Sequence, residues 1–168
     1  IVSDTNIFFD LYKVGLLKEF FSLPYEIKTT MLVFSEIKDP NQLQVIKPFV
    51  DTGKLKIERI DDDVFTKCLS LSLTTPGDLS IPDCSVWQTA KKLNAKMLTN
   101  DKNLRKAAEK DNVEVHGLFF TFDEMLKHKI IDKNCAISET KKLMTINRRF
   151  PKKIAEMKNG KYNSGTWS

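Results

Sequence analysis

Leu79-Ser80-Ile81-Pro82-Asp83-Cys84-Ser85-Val86-Trp87, followed at the far end of the same segment by Lys96-Met97-Leu98-Thr99-Asn100-Asp101, decides the fold. Leu79, Asp83, Val86, Trp87, Ala90 and Leu93 recur at helical spacing, which predicts a helix over Leu79–Asn94 whose apolar stripe carries one charge, Asp83. Lys96–Thr99 then reads as a short strand, and Asp101 as the cap of a helix over Lys102–Lys110. A helix that runs into a strand and out into a second helix is the unit of an α/β protein.

The same alternation extends in both directions. Ile1–Asp4 reads as a buried strand and Asn6–Phe21 as a helix broken near Gly15. Glu26–Thr30 is a strand, Met31–Lys38 a helix, and Asn41–Asp51 a helix that follows the Asp39-Pro40 break. Lys54–Ile60 alternates as a strand; Asp61-Asp62-Asp63 opens a helix that runs to Leu73, and Asp78 reads as the cap of the next one. Val113–His116 is a fifth strand, and Phe119–Lys129 and Lys133–Asn147 are helical. The expectation is a three-layer α/β/α sandwich around a mostly parallel sheet of about five strands, with a helical C-terminal extension. Residues 1–147 form the domain, and 148–168 a basic extension with Asn163–Ser168 disordered.

Four acids in four segments draw attention: Asp4 in Ile1-Val2-Ser3-Asp4-Thr5-Asn6, Glu36 in Met31-Leu32-Val33-Phe34-Ser35-Glu36-Ile37, Asp83 and Asp101. Each stands where apolar neighbours lead one to expect burial, and buried carboxylates are costly unless they are paired or neutralised by a cation. Asp4 and Asp101 fall at strand ends, on the carboxyl edge where open α/β sheets bind ligands. Each could equally be a helix N-cap. Clustered carboxylates repel one another and raise their pKa values, and an all-oxygen donor set suits Mg²⁺ or Mn²⁺.

Composition narrows the classes. The chain has 168 residues, 41% hydrophobic and 29% charged, enough for one domain with its own core. Cys68, Cys84 and Cys135 are far apart and odd in number, which argues against a disulfide framework or a thiolate zinc site and fits a reducing cytoplasm. Two separated histidines, His116 and His128, give little support to a histidine-rich metal site or a Ser-His-Asp triad. Apolar runs such as Met31–Phe34 are far too short to span a membrane. The chain starts at Ile1 rather than Met, so a residue or two is expected before it. Residues 1–126 carry net −3 and residues 127–168 net +8, which together make the overall +5. An acidic body with a basic arm suggests contact with a polyanion, a solvated helical face being the plainer account.

In order and context, the Ser3-Asp4-Thr5-Asn6 strand end, Glu36, Ile81-Pro82-Asp83 and Leu98-Thr99-Asn100-Asp101 resemble the PIN-domain family of metal-dependent nucleases, from Ile1 to about His116. Gly117–Asn147 is similar to the helical tail of many members, toxin ribonucleases among them. The resemblance implies Mg²⁺ or Mn²⁺ and cleavage of single-stranded RNA to a 3′-hydroxyl and a 5′-phosphate. It implies that Asp4, Glu36, Asp83 and Asp101 form the acidic quartet and that Thr99 and Asn6 support it through hydrogen bonds. Lys102, Arg105, Arg148, Arg149, Lys152 and Lys153 are the expected nucleic-acid contacts. RNA, a small antitoxin protein and a second copy in a homodimer are the partners expected of a cytoplasmic protein of this kind.

Two rivals stand beside that reading. A phosphatase of the haloacid-dehalogenase type needs a second Asp two positions after its nucleophile, where Asp4-Thr5-Asn6 has Asn. A PIN-like module that binds RNA or protein without cutting would have no physical reason to keep four buried acids.

Overall fold

The computed structural model describes residues 1–146 and 152–165. Strand β1 (Val2–Ser3) pairs in parallel with β2 (Ile27–Thr30) on one side and with β4 (Met97–Leu98) on the other. Beyond them lie β3 (Leu55–Glu58) and β5 (Val115–His116), giving an all-parallel sheet in the order β3-β2-β1-β4-β5, flanked by helices. The chain moves outward from β1 to β3, then returns to β4 beside β1. The strand order therefore reverses at β1, where a ligand cleft is expected at the carboxyl edge.

The helices are α1 (Thr5–Lys13), α2 (Leu17–Phe20), α3 (Met31–Ser35), α4 (Pro40–Asp51), α5 (Asp62–Thr74), α6 (Ile81–Lys92), α7 (Lys102–Lys110), α8 (Leu118–Lys127), α9 (Lys133–Ile146) and α10 (Lys152–Ser164). The chain forms two compact units. One comprises Ile1–Phe9 and Tyr25–Leu118, the other Asp10–Pro24 and Phe119–Ser168.

In the first unit Val2, Met97 and Val115 lie in register across β1, β4 and β5. They share one core with Cys84, Val86, Trp87 and Ala90 of α6 and with Leu104, Ala107 and Ala108 of α7. Helix α6 differs from the amphipathic expectation: seven consecutive residues, Cys84–Ala90, are buried, because it packs against α3, α5, α7 and three strands at once. Its cap also differs from the expected Asp78. Ser80 accepts a hydrogen bond from the Asp83 amide, and the Asp83 carboxylate accepts from the Ser80 amide, closing a capping box.

Helices α6 and α7 end alike. Asn94 (φ 48°) and Asn112 (φ 60°) take the left-handed conformation, and the amides of Ala95 and Val113 then bond back to the carbonyls of Ala90 and Ala108. Both turns launch strands, so β4 and β5 begin in matching register, with Lys96 paired to Glu114 alongside.

In the second unit the region expected to be a basic extension contains α10. Tyr162 is fully buried and its hydroxyl donates to Asp123 Oδ1 at 3.0 Å, while Lys158 pairs with the same carboxylate. Asn163 and Ser164, expected to be disordered, close this helix because Tyr162 anchors its last turn. Thr166–Ser168 lie outside the described residues.

Trp87 is the largest side chain in the first core. It is 5% exposed, and its indole N–H donates to Asp111 Oδ2 at 3.1 Å. Trp87→Ala should destabilise the protein by about 3–5 kcal/mol, read as a lowered denaturant midpoint; a shift under about 1 kcal/mol would show that α6 is not the core helix.

Candidate metal and nuclease site

Asp4 follows β1 directly and is held by the sheet. Its amide donates to the Leu98 carbonyl at 3.0 Å, continuing the β1–β4 ladder. The side chain is 8% exposed. Oδ1 accepts the Asn6 main-chain N–H and Oδ2 the Asn6 side-chain amide, each at 3.2 Å. Burial pushes the carboxyl up to about 6; the Asn6 bonds pull it down, and the negative charges of Asp83 and Glu36 push it up again.

Glu36 lies one residue past α3, exposed at the helix end. Partial burial raises its pKa first and the charge of Asp83 next, against the pull of Lys38. Asp83 is half-buried in the first turn of α6, with Oδ2 taken by the Ser80 amide at 3.0 Å and hydroxyl at 2.7 Å. Asp4, Glu36 and Asp83 therefore feel one another's charge.

Asp101 stands differently. It is exposed, and its Oδ1 accepts the amides of Asn103 (2.8 Å) and Leu104 (2.7 Å), so it caps α7 as the sequence predicts. Thr99, fully buried at the end of β4, accepts the Asp101 amide on Oγ1 at 3.1 Å and so fixes the turn between them. Of the four acids read as buried, only Asp4 is. The capping positions of Asp83 and Asp101 and the helix-end position of Glu36 give the other three access to water.

Two residues that the sequence reading passed over hold the arrangement. Thr30 caps α3 by accepting the Val33 amide at 3.2 Å, and its hydroxyl meets Ser85 Oγ of α6 at 2.6 Å. Ser85 donates in turn to the Pro82 carbonyl at 2.7 Å. This buried chain ties the helix before Glu36 to the turn that carries Asp83. The signal was available for Thr30, a Thr directly before an apolar helical run.

The donor chemistry, four carboxylates at or near the carboxyl edge, fits an oxygen-preferring cation. As the side chains stand, no group of three or more His, Cys, Asp or Glu among the described residues could hold a metal ion. The capping bonds account for this in part, since each turns one oxygen of Asp83 or Asp101 toward its own helix. Asp83 Oδ1, Asp101 Oδ2 and the Glu36 carboxylate make no hydrogen bond or ion pair among the described residues, which leaves them available to a cation.

Of the expected nucleic-acid contacts, Lys102, Lys152 and Lys153 are exposed. Arg105 is half-buried, donating to the carbonyls of Val115 (3.3 Å) and Thr99 (3.4 Å). Arg148 and Arg149 lie outside the described residues. No helix among the described residues is long and apolar enough to cross a membrane.

A family model described as "PIN domain" matches residues 1–158. The chain is 33% identical over 92 residues to the endoribonuclease Nob1 of Methanocaldococcus jannaschii, an alignment that covers 55% of this chain and 46% of that protein. Among solved structures, a PilT N-terminus domain protein from Sulfolobus solfataricus P2 aligns over 76% of this chain and 96% of its own, at 15% identity and a TM-score of 0.47.

Asp4 sets a pH dependence. The folded chain keeps its proton up to about 6, whereas the carboxyl's ordinary value is 3.8. Between these values the folded state binds more protons than the unfolded one, so stability is greatest below the window and falls as pH rises through it. The loss amounts to about 3 kcal/mol at most. Asp4→Asn should remove that slope and raise metal-free stability near neutral pH by about 1–3 kcal/mol, provided Asn6 turns its amide to keep its bond. Denaturation profiles of the two proteins at several pH values check this; parallel profiles would show that Asp4 is not the strained group.

Proposed function

The chain belongs to the PIN-domain family, and on that premise we propose that it is a metal-dependent endoribonuclease acting on single-stranded RNA. The observation that carries the proposal is Asp4: a buried carboxyl at the point where strand order reverses, raised to about 6 by burial and by Asp83 and Glu36. A folded chain gains nothing in stability from such an arrangement, whereas a cation would neutralise it. The likeness to an endoribonuclease over 92 residues supports the choice of RNA.

Asp4, Asp83, Asp101 and Glu36 would hold Mg²⁺ or Mn²⁺ directly or through water. Such an ion, when bound, supplies charge neutralisation for the phosphodiester and lowers the pKa of water. Glu36, exposed and raised in pKa, is suited to take a proton from the attacking water. The water oxygen attacks phosphorus in line, the bond to O3′ breaks, and O3′ takes a proton from solvent, leaving a 3′-hydroxyl and a 5′-phosphate. Thr99 fixes the Asp101 turn, and Asn6 orients both oxygens of Asp4. Lys102, Lys152, Lys153, Arg148 and Arg149 would meet phosphates, while Arg105 braces the strand ends. RNA as substrate places the work in the cytoplasm. A toxin of this class would arrest growth when expressed alone and be relieved by a small antitoxin, which expression with and without the neighbouring gene would reveal; size-exclusion of the pure chain would reveal a homodimer.

Purified protein should cleave single-stranded RNA with Mn²⁺ or Mg²⁺ and stop in EDTA. Asp4→Asn and Asp101→Asn should each lower the rate by at least about 100-fold while the chain stays folded. Cleavage at the wild-type rate by Asp4→Asn would refute the mechanism. RNA binding without cleavage by the wild type would instead favour a non-cutting module.

A further inference from the structure

A second candidate site lies on the helical side of the first unit. A cleft of about 600 Å³ opens between α5, α6 and α7 and the Thr75–Gly77 loop, within the size range of ligand pockets. Its apolar floor is Leu71, Trp87 and Ala107. Its rim is basic. Lys67 of α5 and Lys106 and Lys110 of α7 border it and make no ion pair among the described residues. Lys91 also borders it but is tied to Asp111, whose other oxygen holds the Trp87 indole.

Gln88 supplies the observation that points to a ligand. It lines the cleft, is 4% exposed, and its buried Nε2 has no hydrogen-bond partner among the described residues. A buried amide left unpaired costs about 1–3 kcal/mol, and Leu at this place would avoid that. The α7 face that lines the cleft starts at Asn103, whose amide N–H holds Asp101 and whose side chain donates to the Gly77 carbonyl at 3.0 Å. One helical turn thus borders both the cleft and a member of the acidic site. Lys102, Lys106 and Lys110 follow at four-residue intervals, about 6 Å apart along the helix.

We propose that this cleft is an RNA-binding subsite. It takes one nucleotide of a single strand, with phosphates on Lys106, Lys110 and Lys67 and a base acceptor on the Gln88 amide. The inference rests on the nuclease reading for its ligand, and not on the carboxylates for its chemistry.

The test is a titration of the full chain with a fluorescent single-stranded oligoribonucleotide of about ten nucleotides, in EDTA and at several salt concentrations. AMP is titrated in parallel. The double variant Lys106→Ala/Lys110→Ala should weaken binding by about tenfold or more and shrink the salt slope by about 1–2. Gln88→Leu should weaken binding while leaving the melting temperature unchanged or higher, which a merely structural glutamine would not do. Unchanged affinity and slope in the double variant would overturn the subsite. So would saturable AMP binding that needs both lysines while oligonucleotide affinity stays the same, since the cleft would then serve a free nucleotide. EDTA separates this test from catalysis. A chain that binds through the lysines yet never cuts refutes the nuclease reading alone, and one that cuts with lysine-independent affinity refutes the subsite alone.

Discussion

The hydrogen bond from the Asp4 amide to the Leu98 carbonyl is the interaction on which the site hangs. Strand β1 has only two residues, yet it is paired on both sides: Val2 donates to Lys96 and Lys28 donates to Ile1, at 2.9 and 2.8 Å. An interior strand of a parallel sheet cannot slide without breaking both ladders at once. The position of Asp4 is therefore set by main-chain geometry. The same ladder passes on through Thr99, which donates to the His116 carbonyl at 3.0 Å, so the turn carrying Asp101 hangs from the next rung.

Placing a carboxylate there has an energetic consequence. Its backbone position is fixed, its solvent is largely removed, and two other carboxylates bear on it. The two Asn6 hydrogen bonds offset part of the strain but not enough to restore an ordinary pKa. A fold selected only for stability would relieve such a group, as stabilising replacements at functional sites show that it can be done at the expense of activity. In the function proposed above, a bound cation would resolve the conflict by neutralising the charge. Several basic residues of the first unit are directed elsewhere: Lys28 pairs with Glu26 and Glu58, Lys56 with Glu26, Lys92 with Asp61, and Lys96 with Glu114.

The sequence revealed the order of strands and helices because each transition carries local chemistry. Asp61 and Asp101 cap their helices, Pro40 and Pro82 sit in first turns, and the boundaries of α7 coincide with those read from the chain. It was less informative about burial. The run around Asp83 shows a helical stripe, but α6 is covered on nearly every side, and a stripe read from spacing cannot show how many neighbours a helix has. Asp83 then escapes full burial because it sits in the first turn, one residue before the buried stretch Cys84–Ala90. Helix α10 was missed because its sequence is rich in Lys and Asn, with little apolar periodicity; what holds it is long-range, the Tyr162 and Lys158 contacts with Asp123, 39 and 35 positions away. The Thr30–Ser85 pair is likewise 55 positions apart.

On the proposed function, the capping bonds of Asp83 and Asp101 would keep two members of the site in place before a ligand arrives. An N-terminal capping bond contributes about 1 kcal/mol, needs only one carboxylate oxygen, and is satisfied in the metal-free chain. Asp83 spends Oδ2 on Ser80 and Asp101 spends Oδ1 on α7. The remaining oxygen of each is carried at a fixed place on a helix start, where the macrodipole favours negative charge. Folding thus stabilises these two acids, while Asp4 opposes it. The division matters for how the protein answers mutation. At Asp4, replacing the charge relieves strain, so on the proposed function stability and cation binding would move in opposite directions. At Asp83 and Asp101, a neutral residue that cannot cap would lose helix stability and the proposed ligand oxygen together. A neutral residue that still caps, Asn, separates the two effects. That is why Asn, rather than Ala, is the substitution from which the chemical role of these positions can be read.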